Sequence, residues 1–235
     1  MRPRLSGNIL KAYKRLTKAE RRILVIGDVH APYTKKGYLE FCQKVYAENN
    51  CNQVIYIGDI CDHQYSSFHD SNPDLAGGKD ELEYAIAEVH KWRDAFPSAK
   101  STDVIIGNHD RIISRKLFKA GVPSQWLKSY NEVLGTNWNW TERIVYDEVQ
   151  YIHGEGGTAS TKAKNDMMST VQGHIHTQCY VQWFSGQKRV MAMQVGSGVD
   201  RDNIGMSYAK AYKFQQLACG IVIGGHTAYN VMMPI

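Results

Sequence analysis

Three stretches of this chain repeat one pattern: RILVIGDVH at 22–30, QVIYIGDIC at 53–61 and DVIIGNHD at 103–110. Each is a run of β-branched and aliphatic residues cut off by a glycine and then by polar groups. Such a run is apolar on both faces, so as a strand it must be covered on both sides, as the inner strands of a parallel sheet are. The intervening segments supply the covering. GYLEFCQKVYAEN sets Leu39, Cys42 and Tyr46 on one helical face, and KDELEYAIAEVHKWRDAF repeats apolar residues at Leu82, Ile86, Val89, Trp92 and Phe96 with a helical period. The first half therefore reads β-α-β-α-β. Right-handed crossovers of that kind leave the three glycine-polar clusters along one edge of the sheet, at the carboxyl ends of its strands.

The second half changes character. Past a helical SQWLKSYNEVLG (124–135), ERIVYDEVQYIHG and CYVQWFSGQKRVMAMQVG each read as strand, turn, strand, and ACGIVIGGHTAYNVMMP reads as a closing hairpin about Gly224 and Gly225. A second, mainly antiparallel sheet is expected. The irregular stretch DHQYSSFHDSNPDLAGG (62–78) is long for an idle connection.

With 235 residues and 43% hydrophobic content, the chain can bury the core of one domain. Its net charge of +5 is unevenly placed: residues 1–22 hold eight Lys or Arg against Glu20, a net +7, which leaves −2 for the rest. The expected division is a basic N-terminal arm, 1–22, and a single domain, 23–235. Within the arm, NILKAYKRLTKAE places Ile9, Tyr13 and Leu16 at helical spacing. It reads as a short basic amphipathic helix that contacts nucleic acid or another acidic partner, or else packs on the body or on a second copy. No apolar run reaches the ~18 residues of a membrane span and no apolar signal segment opens the sequence, so a soluble cytoplasmic protein without membrane contact is expected. The five cysteines, Cys42, Cys51, Cys61, Cys179 and Cys219, include no CxxC pair, which fits a reducing compartment better than a disulfide framework or a zinc knuckle.

The polar strand ends together supply Asp28 and His30 (GDVH), Asp59 and Asp62 (GDICD), Asn108 and His109 (GNHD), His153 (IHG), and His174 and His176 (GHIH). Each alone has an ordinary explanation: Gly-Asn marks a turn, Asp110 can cap a helix or form a salt bridge, His153 can be a hydrogen-bonded core histidine, and GHIH can be a strand with one wet face. Five separate segments delivering oxygen and imidazole donors are harder to assign to chance. Such donors without thiolate suit divalent Mn, Fe, Zn, Co or Ni, and a carboxylate can be shared between two ions. Two ions about 3.5–4 Å apart clamp the attacking and leaving oxygens of an in-line displacement, and they acidify a bound water until it acts as hydroxide near neutral pH.

The ordered set GDVH, GDICD, GNHD, HG and GHIH, spanning residues 27–176, resembles the calcineurin-like metallophosphoesterase superfamily. HDSNPD, GKDELE and AFP are also similar to small phosphoesterases of bacterial viruses and prophages. The resemblance implies an α/β fold, a two-layer mixed β-sandwich flanked by helices, with two divalent ions, Mn foremost, at the strand ends. It implies Asp28, His30 and His176 on one metal, Asn108, His153 and His174 on the other, and Asp59 bridging both. His109 is then the acid or charge stabiliser beside the leaving-group oxygen, with Asp62 orienting its imidazole. No ligand position is missing, whereas scaffolding relatives of the superfamily have lost theirs. A metal-dependent phosphoester hydrolase is therefore expected.

Two divalent ions, set against Asp28, Asp59 and one hydroxide, leave about +1, which suits a phosphodiester monoanion. Protein serine/threonine phosphatases of the superfamily carry an arginine directly after GDxxD; this chain has His63 there, and GNHD resembles the diesterase and nuclease branches. A phosphodiesterase acting on a nucleotide or nucleic acid is the first expectation. A phosphomonoesterase is the alternative, and a nucleic-acid-binding protein relying on its arm is the second. Arg111 can reach a phosphate or be a surface cation, and the loop bearing His63, Tyr65, His69, Asp70 and Asp74 can meet a base or simply be solvated. Trp126, Trp138 and Trp140 read as core or inter-sheet packing, and Cys61 as a small buried residue whose acidic neighbours keep its thiol protonated.

Overall fold

The computed structural model describes residues 20–68, 76–186, 188–200 and 214–234. The expected helix of the arm lies outside them, as do His69, Asp70 and Asp74. The three apolar runs form β1 (Arg22–Ile26), β2 (Gln53–Tyr56) and β3 (Thr102–Ile105), paired in parallel, with α1 (Tyr38–Glu48) and α2 (Gly78–Asp94) crossing between them. Side chains alternate across the pleat. Leu24, Ile26, Val54, Tyr56 and Val104 pack under the helices, while Ile23, Val25, Ile55, Ile57 and Ile105 point the other way, into a second sheet. The inward face of α2 is Glu81, Ala85, Val89 and Trp92, with Leu82 and Ile86 only partly covered. Arg21 and Arg22 belong to this body: Arg22 opens β1, and Arg21 pairs with Asp147 at 2.9 Å.

The helix expected over 124–135 is broken into a 3-10 turn, Ser124–Trp126, and a short helix that ends a series of α3 (Ile112–Lys119) and α4 (Tyr130–Leu134). Ser129 restarts the chain as a helix through a capping box with Glu132, and Gly135 ends it in the left-handed conformation. Then β4 (Asn139–Thr141) adds to the first sheet beside β3. Trp126 is 81% exposed and so is not core. Trp138 is buried under the helical layer, stacked on Tyr56 at 4.9 Å, and Trp140 stacks on Tyr130.

The second sheet is built from β5 (Arg143–Tyr146), β6 (Val149–Ile152), β7 (Ser169–Gln172), β8 (Tyr180–Ser185) and β9 (Arg189–Gln194), in the order β5-β6-β7-β9-β8. It is not mainly antiparallel: β6, β7 and β9 run parallel, and only the two edge pairings are antiparallel. A helix, α5 (Ala159–Asp166), makes the crossover that a parallel β6–β7 pair requires. Its sequence, ASTKAKND, buries only Ala159 and Ala163, against Val190 and Ala192, and so carries no apolar periodicity to read. The closing hairpin, β10 (Ala218–Ile223) and β11 (Thr227–Met232), joins the first sheet antiparallel to β1. The result is the two-layer mixed β-sandwich flanked by helices, with Val149, Tyr151, Val171, Met191 and Met193 meeting the inner face of the first sheet.

Candidate metal centre

Parallel strands in both sheets bring their carboxyl ends to one rim. Asp28 and His30 follow β1, Asp59 follows β2, Asn108 and His109 follow β3, His153 follows β6, and His174 and His176 follow β7. Two sets of donor atoms converge there: Asp28, His30 and His176, and Asp59, His153 and His174. Oδ2 of Asp59 stands between them, 3.6 Å from His30 Nε2 and 3.1 Å from His153 Nε2. Asn108 Oδ1 lies 2.9 Å from His153 Nε2, and Asp28 Oδ2 is 2.9 Å from His176 Nε2. A third set, His30, Asp62 and His109, shares His30 with the first.

The recurring glycine has a steric cause. A Cβ on Gly107 would lie 2.1 Å from Asp59 Oδ1, and one on Gly58, whose φ is +117°, would lie 2.3 Å from His153 Nδ1. The glycine leading into one motif is thus the place where a donor of another motif passes the backbone. His30, Asp59 and His174 themselves sit at φ of 51°, 50° and 68°, a left-handed conformation that non-glycine residues adopt only at some cost.

The donors fit divalent cations. His30 is buried, and burial foremost pushes its pKa below the ordinary value; its Nδ1 meets Asp62 Oδ1 at 2.5 Å, and its Nε2 makes no hydrogen bond. A neutral ring donating from Nδ1 directs an unshared pair from Nε2 into the cluster, the tautomer a metal ligand needs. His153 is similar: Nδ1 faces the Ile57 carbonyl at 3.0 Å, and Nε2 points between two acceptors, Asp59 and Asn108. Burial opposes its protonation, but Asp59 pushes its pKa up to about 10, and the same carboxylate would attract a cation at this place. Burial would raise Asp59, yet His153 and then His109 and His30 hold it well below the usual carboxylate range. His174 is kept neutral by burial and by His153.

His109 lies beside the donors. Its Nδ1 donates to the Asp62 carbonyl at 2.6 Å, and its backbone N–H to Asp59 Oδ1 at 2.8 Å. Burial works against its charge, but Asp59 and Asp62 lift its pKa above the ordinary histidine value. The Asp62 carboxylate, by contrast, is turned to His30 and stands 3.5 Å from His109 Nδ1, so it is the carbonyl of Asp62 that orients His109. Among the described residues Asp110 is neither a helix cap nor a salt-bridge partner. It is buried and accepts from the backbone N–H groups of Gly107, Asp59, Ile60 and Cys61, at 2.8, 3.0, 3.0 and 3.4 Å.

His63 also adjoins the centre, and burial pushes its pKa down to about 4, so it is uncharged at neutral pH. Arg111 is paired with Glu155 and, at 3.7 Å, with Glu142. These three, with His153 and Lys162, line a cleft of about 300 Å³ beside the centre. Cys61 is buried, its thiol pushed well above the usual range by burial and by Asp110 and Glu81.

Several supporting residues carry little sequence signal. Glu81, on the inner face of α2, accepts from the N–H groups of Gln64 and Tyr65 and so anchors the loop after β2. Gln172 and Gln194, the last residues of β7 and β9, hold the loops that carry His153 and His174. Lys162 sits in a helix without apolar pattern.

No match was found among curated protein sequences. Solved structures similar to this chain include an archaeal phosphodiesterase (15% identity, 90% of this chain and 99% of that one covered, TM-score 0.47). Others are the phosphoesterase Yfce from E. coli (11%, 85% and 87%, 0.42) and vacuolar protein sorting 29 from Cryptosporidium parvum (14%, 91% and 97%, 0.44). The sequence matches the calcineurin-like phosphoesterase family over residues 21–230, a span that takes in both sheets and every donor of the rim, and the chain belongs to that family.

Proposed function

We propose that the chain is a dinuclear metal-dependent phosphodiesterase acting on a nucleotide or nucleic-acid substrate. The observation that carries this is the convergence of two donor sets on one oxygen of Asp59, with the buried Nε2 of His30 making no hydrogen bond and aimed at it. In this reading Asp28, His30 and His176 would hold one divalent ion, Asn108, His153 and His174 the other, with Asp59 shared. Bound there, divalent ions, Mn foremost, would supply an acidified water and charge to offset that of the phosphoryl oxygens. The chain's own residues do the rest. His109, anchored through Nδ1, presents Nε2 toward the leaving-group oxygen, and against the cost of burial Asp59 and Asp62 favour the protonated ring that can donate there. Asp62 fixes the His30 ring and lowers the charge of the site further, which favours the less charged substrate. An uncharged His63 supplies no fixed cation for a monoester dianion, and Arg111 is already committed to two glutamates. Six Lys and Arg without a carboxylate in residues 1–19 add an affinity for polyanions.

Hydrolysis of bis(4-nitrophenyl) phosphate and of 4-nitrophenyl phosphate by purified protein tests the reading. Exhaustive chelation and Asp59→Asn should each lower diester turnover by at least about a hundredfold, with Mn restoring the chelated protein but not the variant. Undiminished turnover after metal removal would overturn the mechanism. A large preference for the monoester would assign the phosphomonoesterase alternative.

A further inference from the structure

The surface leading away from His109 is unlike the rest of the body. From Arg111 to Asn131 the chain carries five cations, Arg111, Arg115, Lys116, Lys119 and Lys128, and no Asp or Glu, although residues 23–235 as a whole are net negative. Arg115, Lys116 and Lys119 of α3 make no salt bridge among the described residues. Their charged ends gather instead over the ring of Phe68, at 5.0, 5.5 and 4.6 Å from its centroid. The ring holds three like charges in one place, as cation–π attraction allows. Beside them two large rings face solvent, Phe118 at 82% and Trp126 at 81% exposure. Between α3 and the turn at Ser124–Trp126 runs a groove of about 420 Å³, with Ser114, Arg115, Phe118, Lys119, Val122 and Leu127 along it.

We propose that this face is a docking track for single-stranded nucleic acid, with bases stacking on Phe118 and Trp126 and backbone phosphates held by Arg115, Lys116 and Lys119. The proposal rests on the phosphodiesterase reading above and names the substrate's second point of attachment. Its placement suits that role. The first N–H of α3, that of Ile112, is bonded to the His109 carbonyl at 3.0 Å, so the helix leads directly off the metal centre. Its eight residues reach about 12 Å, the length of three to four nucleotides at ~3.4 Å each. A duplex hides its base faces from the rings. A protein partner seated by the apolar groove would have to bury three clustered cations, at a desolvation cost that needs matching acids. A single strand offers phosphates and bare base faces together, the combination that sequence-tolerant single-strand sites use.

The test is fluorescence anisotropy with a labelled single-stranded oligonucleotide of about a dozen residues, bound to full-length Asp59→Asn protein so that it is not cleaved. In that background Phe118→Ala with Trp126→Ala should weaken binding about tenfold per ring and leave the salt slope unchanged. Replacing Arg115, Lys116 and Lys119 by Ala should reduce the slope of log affinity against log salt by about 2. Both rings are exposed, so their loss leaves the core intact, and with Asp59 restored the ring variant should hydrolyse the small chromogenic diester like the parent. Unchanged oligonucleotide affinity in both variants overturns the docking track while leaving the hydrolytic reading in place. A ring variant that alters the sedimentation mass but not the affinity overturns it in favour of self-association. Absent diester hydrolysis in the parent, with binding still lost in the variants, overturns the hydrolytic reading and leaves the track.

Discussion

The two sheets build their halves of the candidate metal centre by different means. In the first half, the loops after β1, β2 and β3 are tied together by carboxylates: Asp110 gathers four backbone N–H groups, Asp59 accepts from His109, and Asp62 holds His30. In the second half, the loops after β6 and β7 are tied by neutral amides. Gln172 donates to the carbonyls of Gly157 and Gly154, and Gln194 donates to those of Gly173 and Gln172 while accepting from Ala159. A buried amide satisfies a loop without adding charge. The first half buries Asp28, Asp59, Asp62 and Asp110 together, and like charges packed away from water are costly until an opposite charge joins them. Burial, with Asp59 next to it, raises the pKa of Asp110 to about 6. The first half therefore gathers negative charge that a cation would offset, whereas the second half brings imidazoles to the rim without a buried carboxylate of its own.

The largest test of this contrast is Asp110→Ala. It strands four N–H donors, each costing about 1–3 kcal/mol when buried and unpaired, and after partial relaxation the chain should lose about 3–5 kcal/mol of stability in denaturant titrations. An unchanged midpoint would refute the clamp. Next in size is the cation itself: at about 100 times its Kd, a divalent ion should stabilise the protein by about 2.7 kcal/mol. A melting temperature indifferent to chelation would show that the first half needs no partner charge. Smaller again is Gln194→Leu, expected to cost about 1–2 kcal/mol because neutral hydrogen bonds alone are lost. If it proved as damaging as Asp110→Ala, the two halves would be equivalent. The smallest effect is chemical: of the five thiols only Cys179 is not buried, so Ellman's reagent should titrate one per native chain and leave Cys61 untouched. Reaction of Cys61 in the native protein, before any change at Asp110, would mean that the loop after β2 is loose.

Much of this was legible in the sequence because its causes are local. A strand buried on both faces must be apolar throughout, so β1, β2 and β3 announce themselves, and a backbone that passes a donor atom needs glycine, so GDVH, GDICD and GNHD stand out. All nine residues named for the metals and for His109 and Asp62 do lie at one rim. What the pattern could not convey is direction. Had β6 and β7 run antiparallel, as their hairpin-like neighbours suggested, His153 and His174 would sit at opposite edges and one of them would miss the centre. The crossover that prevents this is α5, whose two buried alanines leave no periodic trace.

By itself, then, the sequence determined which side chains are available and on which kind of element each stands, since apolar period and glycine placement are written residue by residue. Only the tertiary structure decided what each polar group meets. Asp62 reached His30 with its carboxylate and His109 with its carbonyl. Asp110 became a clamp between two loops, Arg111 went to Glu155, and Trp126 was left in solvent. The physical reason is that a hydrogen bond or ion pair depends on distances of a few tenths of an ångström between residues far apart in the chain, and those are set by how two sheets pack, not by any residue's neighbours in sequence.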